Sequence, residues 1–163
     1  MKKIIVCLLL VFAILVFPSL AQNKMADYWM NRGMALYNMG NYQKAVQAYQ
    51  NATQANSSSH MAWESLGFSL MKLKKYNESI KAFDEAIKLD PTASSTWYYK
   101  GLDLLSIGKL NESVSAFDNA TKADANFSDA WNGLGLTLNA LGRYQDAVNA
   151  FDKAIATNGT KSS

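Results

Sequence analysis

Four tryptophans, Trp29, Trp63, Trp97 and Trp131, stand 34 residues apart, and that step governs the rest of the chain. A glycine follows each tryptophan by four positions (Gly33, Gly67, Gly101, Gly135), and a leucine follows each by seven (Leu36, Leu70, Leu104, Leu138). The aromatic series Tyr49, Phe83, Phe117, Phe151 and the alanine series Ala52, Ala86, Ala120, Ala154 keep the same step. No insertion or deletion breaks the register between Ala26 and Gly159. A fixed period of this length marks a stack of small structural units, none of which can bury its apolar face alone.

Spacing inside one unit predicts two helices. Trp63, Leu66, Gly67 and Leu70 recur at helical intervals on one face, and Ile80, Phe83, Ala86 and Ile87 do so on a second. A turn is expected at 74–77, where Gly40, Gly108 and Gly142 in the other units supply a residue able to turn left-handed. Gly67 and Ala86 carry so little side chain that the paired helices can approach closely. Asp90-Pro91 should end the second helix, because the residue before proline is driven from helical geometry.

Trp63-x-x-Leu66-Gly67, Tyr76, Phe83, Ala86 and Pro91 resemble the tetratricopeptide repeat pattern, over nearly all of 26–159. Local departures are Ser79 and Ser113 in place of the usual alanine, Leu110 in place of the tyrosine, and Ser57, Ala125 and Gly159 where only Pro91 keeps the terminal proline. The resemblance implies an all-α, right-handed solenoid of four helix-turn-helix units, at 26–59, 60–93, 94–127 and 128–161, with a short lead at 22–25 and a tail at 162–163. First helices would line a concave inner wall and second helices the outer one.

The amino-terminal stretch reads differently. Lys2 and Lys3 precede an unbroken apolar run from Ile4 to Phe17, and Pro18 then breaks it before Ser19-Leu20-Ala21. That is the layout of a secretory signal, expected at 1–21 and cleaved after Ala21. The run of 14 apolar residues is short of the roughly 20 a membrane span needs. The alternative is an uncleaved anchor. Cys7, the only cysteine, lies within the run, so the mature chain would hold no thiol for a disulfide, a metal or a nucleophile. Removing Lys2 and Lys3 from 16 basic residues leaves 14 against 13 acidic ones. With a basic surplus of only one, a nucleic-acid partner is not expected.

Signatures of chemistry are missing from the sequence. His60 is the only histidine, the glycines follow the repeat step and form no phosphate loop, and neighbouring acids such as Asp84 and Glu85 diverge on a helix. The reading is therefore no enzyme, no cofactor and no metal, but a partner-binding scaffold.

The repeat resemblance implies which residues would line the inner wall: Met30, Met34, Tyr37, Met61, Phe68, Met71, Tyr98, Leu102, Leu105 and Leu136, flanked by Asp27, Glu64, Lys72, Asp129, Asn132 and Asn139. Such a methionine-rich apolar groove suits a protein or peptide partner, unless its members turn inward to pack between repeats. Chaperone-binding relatives hold a terminal carboxylate with cations and asparagines at inner positions, which here carry Met30, Met34, Ser65, Ser95 and Tyr99. That role is not expected.

Seven Asn-x-Ser/Thr triplets begin at Asn51, Asn56, Asn77, Asn111, Asn119, Asn126 and Asn158. Behind an export signal they read as N-glycosylation sites. Asn77 and Asn111 are expected in the turn between paired helices, Asn51 and Asn119 at one exposed helical position, and the others in links or at the end. Helix capping and turn formation also favour asparagine and serine.

The ends carry the last signal. No capping helix fits after the fourth repeat or before the first, although solenoid ends normally need polar caps. The expectation is a secreted or cell-surface glycosylated scaffold that contacts proteins, including copies of itself stacked head to tail. Two alternatives stand beside it: a monomeric exported adaptor that captures an apolar peptide, and a carbohydrate-binding module using Tyr37, Phe68, Tyr98 and Tyr99.

Overall fold

A computed structural model describes residues 22–159. The expected signal segment with its cleavage point and Cys7, and the tail 162–163, lie outside the described residues. Within them the chain is eight helices and no strand: α1 (22–38), α2 Tyr42–Ala55, α3 His60–Lys72, α4 Tyr76–Leu89, α5 Ser94–Ser106, α6 Leu110–Ala123, α7 Ser128–Ala140 and α8 Tyr144–Gly159. The lead at 22–25 is already helical and continuous with α1.

Helices α3, α5 and α7 each pack on the even helix that follows and on the even helix before. Successive odd helices also touch one another, α3 with α5 and α5 with α7, whereas even helices have no comparable contact. The odd helices therefore form the inner row of a solenoid and the even helices splay along the outside.

The glycine step has a steric cause. A Cβ on Gly67 would lie 2.5 Å from the Phe83 ring, and one on Gly101 or Gly135 would meet Phe117 or Phe151 at 2.8 or 2.6 Å. The aromatic of each second helix thus seats on the bare backbone of its partner, and Phe83 and Phe117 are wholly buried there. The tryptophan step has a polar cause. The indoles of Trp63, Trp97 and Trp131 donate to the carbonyls of Ser57, Pro91 and Ala125, at 2.9, 3.0 and 2.9 Å. Each inter-repeat link is thereby tied to the helix it precedes.

The turn between paired helices is one residue tighter than expected. Gly40, Gly108 and Gly142 are left-handed (φ 74°, 76° and 75°), and the next helix starts two residues later, so α4 and α6 begin at Tyr76 and Leu110. Lys74 occupies the same position with φ 59°. A left-handed non-glycine residue costs roughly 1–2 kcal/mol, partly offset by the greater unfolded-state entropy of glycine. Lys74→Gly should therefore raise stability by about 0.5–1 kcal/mol, read as an upward shift of the urea midpoint; an unchanged midpoint would deny the strain.

Candidate functional site

The inner wall is built in columns, because positions one repeat apart stand side by side on successive odd helices. One column is apolar throughout: Met34, Phe68, Leu102 and Leu136. Its end members are open to solvent, Met34 at 54% and Leu136 at 51% exposure, and the two between are half-buried. Beside it run Met30, Glu64, Tyr98 and Asn132 on one flank and Tyr37, Met71, Leu105 and Asn139 on the other.

None of the ten expected groove residues is fully buried. Met34, Met61 and Leu136 are exposed, and the other seven are half-buried. Met30 and Tyr37 lean on a core of Tyr49, Leu66 and Leu70, and Tyr98 and Leu102 lean on a core around Phe117 and Leu138. The wall is thus the outer skin of the core and not a separate surface.

Its centre is aromatic. Phe68 meets Tyr99 edge to face at 4.6 Å, Tyr99 meets Tyr98 at 5.1 Å, and Tyr98 meets Phe127 at 5.0 Å. Tyr37, Tyr49, Ser65 and Phe68 line an open cleft of about 200 Å³ where α1, α2 and α3 converge. Burial, with Tyr42 and Tyr99 adding to it, raises the Tyr37 phenol above its ordinary pKa, and burial followed by the nearby Asp129 does so for Tyr98. Both stay neutral hydroxyls that donate and accept.

Of the flanking polar residues, Glu64 is engaged within the protein. Its carboxylate accepts from Thr96 at 2.7 Å and Ser95 at 3.1 Å, bridging α3 to α5. Asp27, Lys72, Asp129, Asn132 and Asn139 are exposed. Lys100, near the wall on α5, pairs with Asp84 at 2.6 Å. Among the described residues, no group of three or more histidines, cysteines and acids is placed to hold a metal.

The sequons divide on inspection. Asn77 and Asn111 are not in the turn but are the second residues of α4 and α6, because the left-handed residue closes that turn early. Asn51 and Asn119 are half-buried where an exposed position was expected, and Asn158 lies inside α8. Asn56 occupies the repeat column of Asp90 and Asp124, and all three accept a backbone N–H two residues on, at 3.1, 2.9 and 2.9 Å. Asn158, the fourth member of that column, accepts from Ser128 at 3.0 Å. Several sequon hydroxyls also have work inside the fold: Ser79 donates to the Gly67 carbonyl at 2.8 Å and Ser113 to that of Gly101 at 2.9 Å. Asn77, Asn111 and Asn126 are exposed.

Two residues escaped the sequence reading. Gly133 lies outside the 34-residue glycine series, yet its absent Cβ would meet Phe117 at 2.6 Å. Asp103 is 1% exposed, and neither carboxylate oxygen has a hydrogen-bond partner. Its column holds Ala35, Ser69 and Thr137, so an acid among small residues was the signal.

Paired helices in a continuous stack, with an inner wall of aligned side chains, define a helical-repeat solenoid. The chain belongs to the tetratricopeptide repeat family, whose model matches residues 25–94 and 98–162. No curated protein matches it in sequence. Among solved structures it is similar to MamA (21% identity, 84% of this chain and 80% of that one, TM-score 0.82). It is also similar to MamA 41-end from Desulfovibrio magneticus RS-1 (22%, 85% and 78%, TM-score 0.79). A third similar structure is the first TPR of Spaghetti (RPAP3) bound to the HSP90 peptide SRMEEVD (18%, 74% and 95%, TM-score 0.71). At these identities the likeness is one of fold.

Proposed function

We propose that this protein is an exported, N-glycosylated scaffold that holds a protein partner by an apolar segment laid along its inner wall. The observation that carries the reading is the unbroken column Met34, Phe68, Leu102, Leu136, apolar in all four repeats and open at both ends. Solvent-facing apolar surface of this continuity is costly without a partner, and methionines adapt to irregular shapes. Export rests on the Lys2-Lys3 start, the apolar run and the small residues before Ala21. Among the described residues no helix is long and apolar enough to cross a membrane. Glycans are expected first at the exposed Asn77, Asn111 and Asn126, and intact-mass analysis before and after enzymatic deglycosylation would detect them; an unchanged mass removes that part.

Selection from a random peptide library tests the groove. The expected outcome is enrichment of apolar sequences, whose binding falls about tenfold or more in Met34→Glu and in Phe68→Ala. The acidic peptide SRMEEVD, bound by the RPAP3 repeat domain, should not bind, because Met30, Met34, Ser65, Ser95 and Tyr99 supply no cation for its carboxylates. Enrichment of acidic peptides, or binding indifferent to both substitutions, would contradict the reading. Far-ultraviolet circular dichroism on Phe68→Ala separates lost recognition from lost packing, since Phe68 also meets the buried Phe83 at 5.5 Å.

A further inference from the structure

The outer edge of α8 is uncovered in a specific way. Ile155 is 71% exposed, whereas Ile87, two repeats earlier in the same column, is 9% exposed. Val148 and Tyr144 are likewise exposed, while Val46 is buried and Tyr42 and Tyr76 are half-buried. At the other end, Tyr28 on α1 is 51% exposed, whereas its column mates Ala62, Thr96 and Ala130 are at 0%. In each column the buried members are those with an adjoining repeat.

The repeat register says what each terminal face would meet if another repeat followed. Inside the chain, Asp84 on α4 pairs with Lys100 on α5 across a repeat boundary. Two repeat steps on from Asp84 is Asp152, on the open face of α8; two steps back from Lys100 is Arg32, on the open face of α1. The boundary that joins two chains would therefore rebuild the same acid–base pair. Both residues are exposed, and among the described residues neither is in an ion pair; Arg32 instead donates to the Tyr28 hydroxyl at 3.1 Å.

Other boundary contacts translate as well. Thr96 sits against Glu64 and His60; the equivalent Tyr28 of a second chain would face Asn132 and Ser128. Those two residues line an open cleft of about 480 Å³, whose other walls include Phe151 and Ile155. Where the internal boundaries use alanine or threonine, α1 offers a tyrosine, and the cleft at α8 has room for it. Ser113 against Thr137 becomes Ala147 against Ala35, two small residues in close register.

We propose that the open face of α8 receives α1 of a second copy of this chain, so that the repeat continues from one molecule into the next, with Asp152–Arg32 and Tyr28-in-cleft as its specific contacts. A head-to-tail contact of this type does not close on itself and yields linear oligomers. None of these residues belongs to the apolar inner column, so assembly and peptide binding stand or fall separately.

Sedimentation velocity on the purified mature protein, beginning at Gln22, over a wide concentration range tests this. Concentration-dependent growth is expected for the unaltered chain. Asp152→Arg alone and Arg32→Asp alone should each weaken association about tenfold or more, since like charges then face one another. An equimolar mixture of the two variants should recover association, because every junction between unlike variants again pairs opposite charges, Arg at 152 with Asp at 32 or Asp152 with Arg32. Circular dichroism verifies that both variants keep their helicity. A monomer at every concentration, variants that associate like the unaltered chain, or a mixture that fails to recover would each overturn the proposal.

Discussion

Asp103→Thr should stabilise the protein at neutral pH by up to about 3 kcal/mol, and the gain should shrink towards zero in mild acid. Asp103 is sealed between repeats 2 and 3 with both oxygens unpartnered. Burial, opposed in part by the Ser79 hydroxyl, raises its carboxyl from 3.8 to about 6; Ser79 itself donates to the Gly67 carbonyl at 2.8 Å. Lys100, one turn earlier on α5, is held by Asp84 and does not neutralise it.

A carboxyl with a raised folded-state pKa binds its proton more tightly folded than unfolded. Its contribution is therefore most favourable below about pH 4, is lost as the pH rises through about 6, and stays lost above. Threonine has a ready place, because Thr137 and Ser69 in the same column donate to the carbonyls of Gly133 and Ser65 at 2.8 and 2.9 Å. Urea unfolding of both chains in mild acid and at neutral pH reads the effect. A stability difference that does not change with pH would show that the Asp103 charge is not the cause.

Gly133→Ala should lower stability by about 1–3 kcal/mol, although alanine is the better helix former by about 1 kcal/mol in a neutral setting. The Phe117 ring is closed in from two sides: a Cβ on Gly101 would approach it to 2.8 Å and one on Gly133 to 2.6 Å. A ring that is wholly buried and flanked by two glycine backbones cannot withdraw from either. A double-mutant cycle with Phe117→Leu isolates the clash. The pair should cost clearly less than the sum of the two single changes; strict additivity would mean that the added methyl is accommodated elsewhere. Gly142→Ala serves as a contrast, since at φ 75° with nothing within 4 Å it tests backbone strain alone.

Reading the chain by column explains what was legible and what was not. Trp63, Gly67 and Phe83 announce themselves because each recurs at every step, and recurrence marks a contact that every repeat must make. The apolar column through Phe68 was legible only through the repeat resemblance, which implied the inner positions. Gly133 was not: its column runs Asn31, Ser65, Tyr99, Gly133, and its need for a bare backbone comes from one inter-repeat boundary only. Asp103 is similarly local. Asn77 and Asn111 fall inside their helices because a left-handed residue, Lys74 or Gly108, closes the turn early; Gly108 signals this in the sequence, whereas Lys74, which is not a glycine, does not. In the sequence Tyr49 stands only as a member of the recurring aromatic series; in the fold it also forms the back of the cleft with Tyr37, Ser65 and Phe68.

The most direct test of the inner wall as the binding surface is mild methionine oxidation, read by mass spectrometry, with and without a library-selected apolar peptide. It should be run at dilution, where copies of the chain do not associate. Met34 and Met61 are exposed on the wall, and Met39 is exposed in the turn between α1 and α2. The wall reading predicts that peptide slows oxidation of Met34 and Met61 while Met39 reacts at its free rate. Equal protection at Met39, or none at Met34, would place the partner elsewhere and contradict it.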